Sequence, residues 1–393
     1  MLDLSKLARQ MQGISDHLTQ EAEASRRRVE IAQQLMSQAS GRQSELLEQL
    51  NRQGDRLLFA AAEPIEPLDT RIAIEAAPEA HTVISSDGSQ ISPSHHEIAY
   101  CYLLNISRVI IHYGQSRYPV LDSLPEVIYR PEDLYASRRW GIRTEEWMGY
   151  KRTAAEAVML GELGQTCAKT GSVPALAMTD GSLIYWFLEQ IPADARDEIL
   201  NPVLESWDLS RKANIPVMGY ISASRSGEAL SFLRLQACPF EQPNCMAHCE
   251  ERRNETPCNP FAPLRDVTLW STLISPGERG PIWKSSADIL GCYGKHAVYF
   301  CYVHVGAEIA RIEFPEWVVE NNQLLNSALS LMLAQVQKGF GYPVALAEAH
   351  NQAVVRGGDR TRFFTLLEQQ MIRAGLKNVG TSFKEARKRG SIA

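Results

Sequence analysis

Two short apolar runs end in the same tripeptide. Thr82-Val83-Ile84-Ser85-Ser86 leads into Asp87-Gly88-Ser89, and Ala175-Leu176-Ala177-Met178-Thr179 leads into Asp180-Gly181-Ser182. Each run reads as a buried strand, because a few mostly apolar residues stop at a Gly-containing turn. An Asp at such a strand end leaves the core with its carboxylate toward solvent, and the Gly behind it lets backbone or ligand come close. If the two strands are sheet neighbours, two carboxylates meet at one edge. Such a site suits hard divalent cations, which prefer oxygen ligands. Asp-Gly is also a common turn dipeptide, so one copy alone reads as a capped turn. Two copies at two strand ends put the cation site on a level with that plainer reading.

The chain of 393 residues is long enough for one large domain or two ordinary ones. Its longest apolar runs fall short of a membrane span, and its N-terminus has no signal-peptide core, so it reads as soluble and cytoplasmic, with no membrane partner. The net charge of -6 counts against a protein that coats nucleic acid. It leaves room for an enzyme that grips a strand in a local basic channel.

Residues 1–62 read as helical. The first Pro is Pro64, and Leu4, Leu7, Met11, Ile14 and Leu18 step by three and four. A coiled-coil arm and a hairpin folded back on the main domain both fit that pattern. Pro64 to Pro78 is a linker by composition. Strands are expected at Thr82–Asp87, Glu97–Ile106 and Arg108–Tyr113, as an antiparallel meander. His95 and His96 lie in the loop after the first Asp.

A long helix is expected from Arg138 to Lys169. It carries Arg138, Arg139, Arg143, Lys151 and Arg152 with Trp140 and Trp147 interleaved. Aromatics among cations can stack bases and hold phosphates, and an amphipathic helix with a snorkelling rim looks the same. Glu156 and Glu162 sit on its apolar flank, where a carboxylate is costly unless paired or bound to metal. Either completes a three-carboxylate site with Asp87 and Asp180; helical phase does not choose between them. Further helices to about Arg211 and the strand Ile215–Ser222 follow. Three antiparallel strands, helix, strand, helices, strand is the element order of the ribonuclease H-like fold. The expected class is therefore α/β, a ribonuclease H-like mixed sheet flanked by helices, with the N-terminal helices as an extension.

Cys238, Cys245, Cys249 and Cys258 gather four of the eight cysteines within 21 residues, spaced C-x6-C-x3-C-x8-C. Thiolates on such a loop could hold Zn2+ or an iron–sulfur cluster as a structural metal. The spacing lacks the C-x2-C of common zinc sites, and free thiols on an inserted loop are the other reading. Asp266 opens an apolar helix, Val267 to Ile274, and Ser275-Pro276-Gly277-Glu278-Arg279 follows. Ala297–Val303 and Glu308–Phe314 read as a hairpin around Gly306, closing on Arg311-Ile312-Glu313-Phe314-Pro315. A helix runs from about Trp317 to Lys338. Pro343 can start the next one, which places His350 two turns in, with Ala345, Ala347 and Ala349 leaving it room to reach a metal or a phosphate. The tail from Lys384 to Arg389 is basic.

Taken together, Asp87-Gly88-Ser89, Asp180-Gly181-Ser182-Leu183, Asp266 with the Pro-Gly-Glu-Arg run ending at Arg279, the Arg-x-Glu-x-Pro run from Arg311 to Pro315, and Gly341-Tyr342-Pro343 through His350 resemble the NurA nuclease family. They come in the family's order over roughly residues 80–360. The resemblance implies a ribonuclease H-like fold and manganese-dependent DNA exo- or endonuclease activity, with Mg2+ as the other candidate ion. It also implies a homodimer and a HerA-type hexameric ATPase as partner in double-strand-break end processing. By the same resemblance the metal-binding and catalytic residues are Asp87, Asp180, Glu156 (less clearly Glu162) and His350, with Asp266 and Arg279 in support. Where the family pattern leads one to look for a Lys after the fifth strand, this chain has Ser222-Ala223-Ser224-Arg225, and Arg225 could supply the charge. The domains are then 1–66, the helical arm; 67–380, the nuclease domain with a Cys insertion at about 238–265; and 381–393, the basic tail.

In such a site two cations about 4 Å apart clamp the scissile phosphate, with Asp87 bridging and Asp180 and Glu156 completing the set. Imidazole ligation by His350 favours Mn2+ over Mg2+. Two other classes stay open: a DNA-end-binding or motor-adaptor protein of the same fold with a weakened site, and another phosphoester hydrolase reusing the carboxylates.

Overall fold

A computed structural model describes residues 3–11, 13–92, 100–171, 173–252 and 256–375. Contacts divide the chain into two compact units. One is Met1–Ala73, Ile221–Ala287 and Ala297–Glu313; the other is Ile74–Tyr220, Asp288–His296 and Phe314–Ala393. Helices and paired strands make both, and the second unit's sheet mixes parallel and antiparallel pairs. Among the described residues no helix is long and apolar enough to cross a membrane.

The second unit holds both Asp-Gly-Ser tripeptides. Its strands are β1 (His81–Ser85), β2 (Gly88–Ile91), β3 (Tyr102–Tyr113), β4 (Val120–Ile128), β5 (Ala175–Asp180) and β6 (Val217–Ile221). Its main helices are α1 (Thr144–Thr170), α2 (Ala193–Lys212), α3 (Asn322–Lys338), α4 (Val344–Ala353) and α5 (Gly357–Arg373). β1 runs parallel to β5, and β5 parallel to β6. β1 and β2 both lie antiparallel to β3, whose other neighbour is the antiparallel β4. β1 is buried at every position, as expected of a strand covered on both faces.

The register of the parallel pair positions the site. Ser85 lies opposite Met178, so Asp87 and Asp180, each two residues further on, leave adjacent strands at the same end. α4 is fastened beside them by the sheet itself. The Ser89 hydroxyl and the Asn105 side-chain amide both donate to the carbonyl of Ala353, the latter at 2.8 Å. Ala345, Ala349 and Ala353 are buried, and their small side chains allow that close approach.

Residues 102–113 form one strand rather than the two that the polar Ser107-Arg108 pair suggests. Ser107 bonds to Asp87 and Ser86 at the break between β1 and β2. Arg108 makes a two-pronged ion pair with Asp122 across the β3–β4 ladder, at 2.8 and 2.6 Å. Both polar residues are thus satisfied in place. β4 escapes sequence reading because it is a largely exposed edge strand interrupted by Pro125. The basic stretch before α1 is a 3-10 turn, Ala136–Trp140, and the helix proper starts at Thr144.

The first unit contains the N-terminal helices Leu4–Gln10, Ile14–Ser40 and Gln43–Gln53. Ala32, Met36, Ala39 and Leu46 join a core with Phe232, Leu233, Trp270, Trp283 and Phe300. The earlier seam residues Leu4, Leu7, Met11, Ile14 and Leu18 are exposed. The strand Val298–His304 pairs with Trp283–Lys284, which pairs in turn with Glu63–Pro64.

Candidate functional site

A cleft of about 330 Å3 opens where β1 and β5 end; Asp87, Glu156, Asp180, Arg152, Ser182 and Trp186 are among its walls. Each acidic group reaches it by a different local device. Asp87 follows β1 at the break before β2. Its N–H donates to the Ser107 hydroxyl at 2.8 Å, and its carbonyl accepts from the Ser107 N–H at 2.8 Å. Both bonds pin the peptide, which aims the side chain. Oδ1 accepts from the Gly88 N–H at 2.7 Å, and Oδ2 lies 3.1 Å from Nδ1 of His350.

Gly88 is required by space. A Cβ built there meets Glu156 Oε1 at 2.5 Å, Arg152 Cγ at 2.8 Å and Ile106 Cδ1 at 2.9 Å. The second tripeptide needs its Gly for a different reason: Gly181 has φ +110°, a conformation that L side chains rarely adopt.

Glu156 comes from the middle of α1. Arg152, one turn earlier, places Nε 3.2 Å from Oε1. Oε1 is nonetheless buried without a hydrogen-bond partner. Burial pushes the Glu156 carboxyl up to about 8; Arg152 opposes the rise, while Asp87 and Asp180 add to it. Asp180 is also raised, chiefly by lost solvation. A hydrogen bond from Tyr342 and the His350 ring lower it, and Asp87 raises it. Three carboxylates thus share one cleft and repel one another, with Arg152 as the cation on its wall.

That arrangement fits a divalent cation. The donors are hard oxygens with one imidazole beside them. Glu156 Oε1 is a buried acceptor without a partner, and the mutual repulsion is the kind that bound positive charge relieves. As the side chains stand, no three His, Cys, Asp or Glu among the described residues are gathered closely enough to hold one ion. Glu156 leans instead on Arg152.

The remaining candidates are placed elsewhere. Glu162 is exposed on α1, away from the cleft lining. Asp266 is fully buried in the first unit, where it accepts from Tyr302 Oη at 2.6 Å and from the N–H groups of Leu230 and Ala229 at 2.8 and 3.2 Å. It caps the helix Glu228–Ala237. Burial pushes its carboxyl up to about 6. Arg279 is committed to Glu66 through two contacts of 2.5 and 2.9 Å. In the Arg-x-Glu-x-Pro run, Arg311 is buried against Glu228 and Glu313, at 2.8 Å each. Arg225 is exposed, and its carbonyl accepts from Arg265. The cations before and along α1 are largely engaged: Arg139 and Lys151 with Glu198, Arg143 with Glu146. Trp147 is buried. That stretch reads as a paired surface rather than a free phosphate track. His95, His96 and the basic tail lie outside the described residues.

Three residues of the site escape sequence reasoning. Ser107 and Asn105 sit in an apolar strand as unremarkable polar interruptions. Tyr342 stands in the Gly-Tyr-Pro run, but nothing in that run says its hydroxyl turns to Asp180.

No curated protein matches the sequence. Among solved structures, the NurA nuclease from Sulfolobus solfataricus is similar at 12% identity, over 78% of this chain and 89% of that one, with a TM-score of 0.47. A NurA structure with manganese is similar at 10% identity, over 87% and 98% of the two chains, with a TM-score of 0.37. One bound to dAMP and manganese is similar at 12% identity, over 89% and 96%, with a TM-score of 0.35. The NurA domain profile matches residues 81–355, a span that includes both tripeptides, Glu156, Tyr342 and His350. On that match the chain belongs to the NurA domain family.

Proposed function

We propose that this protein is a divalent-cation-dependent DNA nuclease, hydrolysing phosphodiester bonds at DNA ends on a ribonuclease H-like sheet. Mn2+ is the favoured ion. A homodimer working with a HerA-type hexameric ATPase in break processing is the context that family membership supports. One observation carries the reading: the parallel register sets Asp87 and Asp180 at the same end of adjacent strands, in a cleft that Glu156 shares.

Divalent cations, when bound, supply Lewis-acid charge to the scissile phosphate and lower the pKa of the attacking water. The chain's own residues do the rest. Asp87 and Asp180 offer carboxylate oxygens from rigid strand ends, so their spacing costs little to organise. Glu156 would hold a cation with them after losing its proton to solvent, and Arg152, then free of that contact, would be the positive group on the cleft wall for the phosphate. His350 stands with Nδ1 against Asp87, where its ring can take the proton that the attacking water loses and return one to the leaving oxygen. Tyr342 donates to Asp180, which opposes the rise that lost solvation causes there.

The test is degradation of linear single- and double-stranded DNA with Mn2+ or Mg2+, comparing the native chain with Asp87→Ala and Asp180→Ala. Loss of cleavage by at least about a hundredfold in both variants, with unchanged circular dichroism, is the expected result. Native protein that binds ends without cutting them would move the assignment to an end-binding adaptor. Turnover of small phosphoesters alone would move it to a phosphatase.

A further inference from the structure

The first unit carries four loop cysteines that the nuclease reading does not use. Cys238, Cys245, Cys249 and Cys258 all line one small cavity, with Phe240 and Pro257 among its other walls. Cys238 is the C-cap of the helix Glu228–Ala237. Cys245 opens the one-turn helix Cys245–His248, and Cys249 caps it. Cys258 returns to the same point from the far end of the loop. None of the four is in a disulfide, and Cys245, Cys249 and Cys258 are buried.

Packing alone is a poor reason for this arrangement. Between the cysteines the described loop has only a four-residue helix and a three-residue 3-10 turn. A segment so short of regular structure needs another fastening. As placed, no three of these thiols are close enough to hold one ion, yet all four line the same small cavity, so a metal would have to draw them together. Arg234 stands at the rim, with Nη2 3.6 Å from Cys258 Sγ and 2.9 Å from Thr256 Oγ1. Four thiolates outweigh the charge of a dication, and a guanidinium beside one sulfur offsets part of that excess.

We propose that Cys238, Cys245, Cys249 and Cys258 form a tetrathiolate metal centre that fastens this loop to the helix Glu228–Ala237, taking a zinc ion or an iron–sulfur cluster. Both are held by deprotonated cysteines. A zinc ion would draw the sulfurs inward from their present positions, whereas a cluster presents several irons to thiolates that stand further apart. The centre is independent of the nuclease reading, since none of its ligands belongs to the carboxylate cleft.

The experiment is metal analysis of the full chain purified without oxygen, with zinc, iron and acid-labile sulfide counted per chain. About one zinc identifies the mononuclear form. About four irons with matching sulfide and a visible absorption band identify the cluster. Less than about a fifth of an equivalent of either overturns the proposal. Cys249→Ser is expected to lower bound metal at least about fivefold, and Cys292→Ser, at an exposed position outside the loop, to leave it unchanged. Should Cys249→Ser fail to fold, Cys238→Ser at the less buried position gives the same readout. Full metal content in Cys238→Ser and in any folded Cys249→Ser would refute this ligand set.

Discussion

Glu156 and Arg152 face each other one helical turn apart, Nε to Oε1 at 3.2 Å, inside a cleft that Asp87 and Asp180 also line. The pair does not neutralise the carboxyl's surroundings: burial and two other acids still hold Glu156 near 8. Below that pH the carboxyl keeps its proton and donates rather than ligates.

Cation binding should therefore be pH-dependent in a definite direction. Taking up an ion expels the Glu156 proton, so Mn2+ affinity is expected to rise from pH 6 to pH 8.5 with about one proton released at the lower pH. Calorimetry in buffers of different ionisation enthalpy measures that release. Without metal the sign for stability is opposite. The native group binds its proton more tightly than the unfolded one, so its contribution is fully present below the unfolded value of 4.5 and is lost as pH rises through about 8. Glu156→Gln should flatten that decline, being more stable than the native chain at pH 9 while losing Mn2+ binding. A native chain whose metal-free melting temperature does not fall from pH 5 to pH 9 relative to the variant would contradict this.

Gly88 makes a sharper geometric test. The nearest atoms to an added methyl are Glu156 Oε1, Arg152 Cγ and Ile106 Cδ1, all within 3 Å. Gly88→Ala should push Glu156 off its place, costing about 1–3 kcal/mol in urea unfolding and most of the cleavage activity. Gly277→Ala is the contrasting control. Its φ of +84° strains an alanine, but nothing stands within 4 Å, so stability falls while the carboxylate cleft keeps its geometry.

How much of this was legible in the residues follows from range. The two Asp-Gly-Ser runs announced themselves because strand, turn and acid are all local, and the parallel register then brought Asp87 and Asp180 to one edge. Glu156 and Glu162 both have apolar neighbours in sequence, but six residues apart they stand about 120° apart around the helix, and only Glu156 lines the cleft, with Glu162 exposed. Ser107 looks like a join between strands in the sequence, because the Asp87 peptide that its hydrogen bonds satisfy lies twenty positions earlier. Asp266 and Arg279 kept the family's order, but their partners Tyr302 and Glu66 show them capping and pairing within the first unit. Order along the chain carries no information about which partner a buried charge finds.

Arg279 accordingly predicts a stability phenotype. Its side chain is 5% exposed and bonded to both oxygens of Glu66, which also accepts from the Ile282 N–H. Arg279→Ala leaves that carboxylate unpaired in a partly closed site and should cost about 3 kcal/mol. Cleavage per folded molecule should stay within about twofold of the native chain. A large loss of turnover in fully folded Arg279→Ala, measured at a temperature well below its transition, would return Arg279 to the catalytic machinery.

Trp186 gives the last prediction. It lines the carboxylate cleft and is 45% exposed, an unusual place for an indole unless something flat lies on it. Its neighbour Phe187 is already stacked on Tyr150, with ring centroids 4.5 Å apart, so Trp186 is the face left for a ligand on that wall. A base next to the scissile phosphate would stack there, and stacking on an aromatic contributes about 1–3 kcal/mol per base. Trp186→Ala should weaken binding of single-stranded DNA by roughly tenfold or more, while Trp186→Phe keeps most of it. Mn2+ affinity should not change in either variant, because the indole offers no ligand. Fluorescence anisotropy with a labelled oligonucleotide separates these outcomes: equal affinity in the native chain and Trp186→Ala would place the DNA on another wall of the cleft.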